Sequence, residues 1–128
     1  MGEFHESIPE HVIEWILAQK VFWVATAPLS AQGHVNLSPK GGQYFGVIDE
    51  RTFWYMELTG SGIETLSHLH EPRNGRITVM FNAFEGGPRI LRLWGKGMRS
   101  SYSKFRQQEI HIEEGRISLA DDLSQEEC

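Results

Sequence analysis

Residues Phe53 to Glu71, FWYMELTGSGIETLSHLHE, constrain the fold of this chain more than any other stretch. Its aromatic start predicts a strand, and Thr59-Gly60-Ser61-Gly62 predicts a turn. Ser61-Gly62-Ile63-Glu64 is an S-x-x-E capping box, so a helix is expected to open there and end at Glu71, before Pro72 and Asn74-Gly75. A strand that hands small residues to a helix N-terminus makes an anion pocket. The first N–H groups of the helix lack internal partners, and its dipole is positive at that end. A phosphate on any ligand of this chain is expected here. The same residues can also serve without a ligand, Ser61 as a simple N-cap and the glycines for backbone freedom.

The flanking sequence reads as short strands with two helices. Ser7-Ile8-Pro9-Glu10 is another capping box, predicting a helix to about Lys20 with Ile8, Val12, Ile13, Ile16 and Leu17 on one face. Val21 to Pro28 is rich in aromatic and β-branched residues and predicts a strand. His34 to Ser38 alternates, with Val35 and Leu37 on one face and His34, Asn36 and Ser38 on the other. Pro39 and Gly41-Gly42 predict a bulge or an edge. Tyr44 to Ile48 and Phe53 to Leu58 flank a hairpin connection at Asp49 to Thr52, and Arg76 to Phe84 and Arg89 to Trp94 supply two more strands around Glu85-Gly86-Gly87-Pro88. Six short strands and two helices predict a mainly β (α+β) domain, a six-stranded antiparallel barrel with peripheral helices, spanning residues 1–128 as one unit. Beyond Gly97 the pattern changes. MRSSYSKFRQQE is polar, IHIEEGRISL fits a strand or a hairpin, and an acidic tail ends in Cys128.

Charge and cysteine content exclude several function classes. A net charge of −5 argues against nucleic acid or an anionic membrane as partner. The single cysteine rules out an intrachain disulfide and suits a reducing, cytoplasmic setting. No apolar run reaches the roughly 18 residues of a membrane span, and no secretory leader pattern is evident. The six histidines lack metal-ligand spacing, so no metal site is expected. No nucleophile triad or elbow motif is present either, and no catalytic residue stands out.

Outside the glycine turn, two groupings carry chemistry. Ser38-Pro39-Lys40-Gly41 sets a hydroxyl and an ammonium beside a break in a strand, a pairing suited to phosphate or to plain solvation. In a small barrel, Lys40 can converge with Thr59 and Ser61. Arg92 and Trp94 share a strand face, with Arg89 on the other, and can grip a flat anion or cover a barrel end.

Taken in order, HVNLSPKGG, FGVIDERTFWYMELTGSGIETLSHL, RITVMFNAF and ILRLWGKG resemble the pyridoxamine 5′-phosphate oxidase-like flavoproteins, nearest the branch with an S-P-K-G motif, over about residues 7 to 97. The resemblance implies a split β-barrel and a homodimer holding FMN at the subunit interface. By position it implies Ser38, Lys40, Thr59, Ser61 and Thr65 around the phosphate, with Arg92 and Trp94 near the cofactor. It implies an FMN-dependent oxidoreductase acting on a small organic molecule, with secondary metabolism as the setting. Two departures are visible: Ile63 stands where relatives carry a polar or basic residue, and the sequence from Met98 onward does not follow the family's continuation. They motivate an alternative, a flavin-free barrel whose interface pocket binds, isomerises or cyclises an apolar metabolite. A non-enzymatic dimeric binding domain is the third possibility.

Overall fold

A computed structural model describes residues 3–56, 63–99 and 107–121. Along the chain the elements are β1 (Glu3–His5), α1 (Glu10–Ala18), β2 (Val21–Thr26), β3 (Asn36–Gly41) and β4 (Phe45–Asp49). They continue as β5 (Thr52–Met56), α2 (Ile63–His70), β6 (Arg76–Asn82), β7 (Arg89–Arg99) and β8 (Gln107–Asp121). All strands pair antiparallel in one curled sheet of order β3-β2-β6-β7-β8-β5-β4, with β1 added against β8. This is the mainly β split barrel that the sequence predicts, with two strands beyond the expected six.

Those two strands change how the barrel is held together. β8 lies antiparallel to β7 along its length, while its opposite edge pairs first with β5 (Met56↔Gln107 to Thr52↔His111) and then with β1 (His5↔Ile117 to Glu3↔Leu119). The segment after Gly97, whose pattern looked foreign to the fold, therefore supplies an interior strand of the sheet. The reading of IHIEEGRISL as a strand is the correct one, with an irregularity in the middle. Leu93 pairs with Ile117 and Gly95 with Ile112, so four residues of β8, Glu113 to Arg116, face Trp94 alone.

The barrel interior is aromatic. Phe22 sits at its centre, with Phe81 stacked at 5.2 Å and Phe45, Phe53 and Tyr55 edge-on at 5.1, 5.5 and 5.8 Å. Registered neighbours share a face, so the interior row runs Ser38–Val24–Val79–Leu93–Ile117. The adjacent exterior row runs Leu37–Ala25–Thr78–Trp94.

Three local expectations need correction. No side chain caps α1, and the helix runs from Glu10, with Pro9 at the N-cap position, to Ala18 rather than Lys20. A residue before proline is driven out of the helical region, so Ile8 is extended. It is buried and donates its N–H to the Glu50 carbonyl, which leaves Ser7 too far back to cap. Leu17 is 53% exposed and does not join Val12 and Ile16 in the core. Pro39 does mark an edge, but the strand passes through it to Gly41 without a bulge, pairing with Trp23. A proline is tolerated on an outermost strand because one side of it has no ladder to feed.

Gly95 is where the sheet is tightest. A Cβ there would lie 2.2 Å from the carbonyl oxygen of His111, whereas one at Gly87 would meet nothing within 4 Å. Gly95→Ala should therefore cost about 1–3 kcal/mol or more, since backbone has to move, while Gly87→Ala stays within about 0.5 kcal/mol. Urea unfolding of the two variants measures the difference.

Candidate functional site

Helix α2 is fastened to β3 near its start, to β2 farther along and to the β2–β3 connection past its end. Near its start, Asn36 Nδ2 donates to Thr65 Oγ1 at 2.8 Å, and Thr65 is fully buried. Midway, the buried His68 Nδ1 and Thr26 Oγ1 lie 2.9 Å apart. Past its end, Glu71 accepts from the Leu29 N–H at 2.8 Å and from Asn74 Nδ2 at 2.9 Å, and Asn74 also donates to the Ala27 carbonyl at 2.7 Å. Leu69 packs under the sheet, where a Cβ on Gly97 would reach its methyls at 3.0 Å. The first turn of α2 is thus held against β3.

On β3 the side chains of Asn36, Ser38 and Lys40 point to the interior and those of Leu37 and Pro39 outward. Ser38 is 9% exposed, and its Oγ has no hydrogen-bond partner. Leaving a hydroxyl buried and unsatisfied costs roughly 1–3 kcal/mol, so such an atom needs an explanation. Two residues along the same face, Lys40 Nζ lies 5.9 Å from the centre of the Tyr55 ring on β5, the strand that precedes Thr59-Gly60-Ser61-Gly62 in the sequence. A hydroxyl, an ammonium and the first turn of a helix are what an anion needs.

Of the residues singled out in the sequence, Ser38, Lys40 and Thr65 are brought to this region. Thr59 and Ser61 lie outside the described residues, as does the first half of the second capping box. Arg92 and Trp94 do share a face, as expected, but it is the exterior one, across the sheet from Ser38. Arg89 points the other way and stacks its guanidinium 5.3 Å over the Trp15 ring. Sequence reasoning passed over Asn36, although the alternation of HVNLS had set it beside Ser38. It also missed Gln108, which is buried next to Tyr55 with Oε1 unpartnered. Nothing in the polar run around Gln108 marks it. Among the described residues, no three His, Cys, Asp or Glu gather as a metal site, and no helix is long and apolar enough to cross a membrane.

The bonds at Glu71 have a pH signature. The Leu29 N–H, then the Asn74 amide, hold its carboxyl below the usual 4.5 against the opposing effect of burial, with His68 and Arg76 adding in the lowering direction. A depressed folded-state value means that this contribution is complete above about pH 4.5 and is lost as the pH falls through the lowered value. Glu71→Gln keeps an acceptor for Leu29 without titrating, so its melting temperature should fall less than that of the wild type between pH 6 and pH 3. Thermal melts followed by circular dichroism measure this.

No protein-family model matches the sequence. The pyridoxamine 5′-phosphate oxidase family protein ustO of Aspergillus flavus is 44% identical over 99 residues, which is 76% of this chain. The chain spans only 39% of the length of that curated relative. A solved Lactobacillus delbrueckii protein, proposed to be a pyridoxamine 5′-phosphate oxidase, superposes with a TM-score of 0.61 at 15% identity, covering 93% of this chain and 98% of its own. A FAD-binding protein of Mesorhizobium loti superposes with a TM-score of 0.58 at 14% identity, covering 90% and 96%. At such identities the two structures speak for the fold, and the fungal relative speaks for the lineage. The chain belongs to the pyridoxamine 5′-phosphate oxidase-like family of split barrels.

Proposed function

We propose that this chain binds FMN and serves as a flavin-dependent oxidoreductase for a small organic molecule. The observation that carries the reading is the buried, unpartnered Ser38 Oγ two residues from Lys40, on the strand face whose Asn36 holds Thr65 in the first turn of α2. In this reading the Ser38 hydroxyl donates to a phosphate oxygen and Lys40 supplies the countercharge. Thr65, tied to Asn36, keeps the helix end in place, and Thr59 and Ser61 complete the cradle from the preceding turn. Arg92 and Trp94, on the exterior face, stand near the cofactor where two copies meet in this reading. The family membership supports the cofactor class, as does the FAD-binding protein among the fold's neighbours. A bound flavin would supply the hydride and electron chemistry, while this chain's residues anchor and orient it.

Titration of the purified protein with FMN and with riboflavin, followed by quenching of flavin fluorescence, tests the reading. FMN should bind more tightly than riboflavin. Lys40→Ala should cost about 1.5–3 kcal/mol of FMN affinity, and Ser38→Ala about 0.5–1.5 kcal/mol, with little change for riboflavin. A protein that takes up no FMN overturns the reading and leaves the flavin-free alternative. Equal affinity of Lys40→Ala for FMN removes Lys40 from the site.

The same reading makes the protein a cytoplasmic homodimer. The edge strand β3 offers an apolar exterior for a second copy, with Leu37 63% exposed. Sedimentation should show a dimer that Leu37→Glu converts to monomer. A monomeric wild type at micromolar concentration overturns this part.

A further inference from the structure

We infer that Gln108 is a specificity-determining residue, whose Oε1 accepts a hydrogen bond from a hydroxyl on the carbon chain that carries the ligand's phosphate. The inference rests on the flavin reading above and adds a contact that no motif of the sequence assigns. Gln108 lies in β8, where the chain departs from the family's continuation, so its role is not carried over from relatives. It is 1% exposed, and its Oε1 has no hydrogen-bond partner among the described residues. Taking a carbonyl oxygen out of water without giving it a donor costs stability, so glutamine is seldom enclosed this way. The surroundings offer no remedy. Gln108 is registered with Tyr55 and Tyr55 with Phe45, so the three share the interior face of β8, β5 and β4. The fully buried Ile110 follows two residues along that face. Leucine or methionine would fill such a wall without loss, and an idle acceptor held there instead points to a donor on a ligand.

The curl of the sheet carries this acceptor towards the anion cradle. In the strand order β3 stands at one end and β5 next to the other, yet Lys40 Nζ on β3 lies 5.9 Å from the centre of the Tyr55 ring. Gln108 is one strand beyond Tyr55 on the same face, about 5 Å away at the backbone. Ser38 and Lys40 on one side and Gln108 on the other therefore flank Tyr55. Their chemistry is complementary. The serine hydroxyl and the ammonium donate, which suits the oxygens of a phosphate dianion. Oε1 only accepts, so it disfavours a phosphate oxygen and suits a hydroxyl. A phosphate ester with hydroxyls on the adjoining carbons presents both groups in that order. The ribityl chain of FMN, with its hydroxyls between phosphate and ring, is of this class.

Titration of the full chain and of its Gln108→Met variant with FMN, with riboflavin and with lumiflavin, which lacks the polyol chain, tests the assignment. Methionine matches glutamine in length and removes the idle acceptor, so the unliganded variant should melt no lower than the wild type. It should bind FMN and riboflavin about tenfold more weakly and lumiflavin as the wild type does. Gln108→Leu, a second apolar replacement, should repeat this pattern if methionine packs poorly. Lys40→Ala gives a different one, weakening FMN alone. A glutamine with a purely structural role would lower the melting temperature and leave the ratio of riboflavin to lumiflavin affinity unchanged. The inference is overturned if both Gln108 variants keep wild-type riboflavin affinity, or if they weaken lumiflavin as much as riboflavin. A wild type that takes up no flavin overturns the flavin reading itself, and this contact with it.

Discussion

The pairing of β8 with β7 on one edge, and with β5 and β1 on the other, is the interaction on which the rest depends. Without β8, β3-β2-β6-β7 and β5-β4 are two separate ribbons, each too small to enclose the aromatic cluster around Phe22. With it, the interior row from Ser38 to Ile117 becomes continuous. The same strand fixes two features with unlike roles. Its first half brings Gln108 beside Tyr55 in the interior, and its interruption at Glu113–Arg116 opens the exterior next to Trp94. Gly95 belongs to this arrangement, since β8 returns to register directly against it.

The helix after the glycine turn depends on side-chain hydrogen bonds rather than on length. Eight residues are too few for a helix to persist alone in water, so its placement comes from tertiary contacts. Asn36, Thr26 and Leu29 each contribute one, and all three lie on β2, β3 or the connection between them. Strand pairing therefore sets the helix's position, and the helix end in turn faces the interior of β3. A cradle built this way moves as one piece with the edge of the sheet.

Much of this was legible in the sequence, and the reasons for success and failure are physical. Period-two alternation in HVNLS put Asn36 and Ser38 on one face, which is how they stand. The shared face of Arg92 and Trp94 was also readable. Which side of the sheet that face occupies was not, because parity along one strand says nothing about where the barrel closes. The S-x-x-E pattern at Ser7 misled because Pro9 constrains Ile8 more strongly than a serine cap rewards a longer helix. β8 was obscured by its own interruption: Glu113-Glu114-Gly115-Arg116 is polar and contains a glycine, so the run resembles a hairpin turn. Only a partner strand that continues past it reveals one strand with an excursion. Gln108 carries no signal at all, since a glutamine in a polar run becomes notable only when the fold encloses it.

The order of strands along the chain has a kinetic meaning. The ribbon that completes the barrel comes last among the described strands, and its partners include the first three residues described, through Glu3↔Leu119. Contacts so distant in sequence form slowly because a long loop must close before any of them is gained. During synthesis, β7 and β5 wait with bare edges until β8 emerges, a period in which a stray strand from another molecule competes for the same place. Folding yield in cells should thus be governed less by the aromatic interior than by how soon β8 arrives.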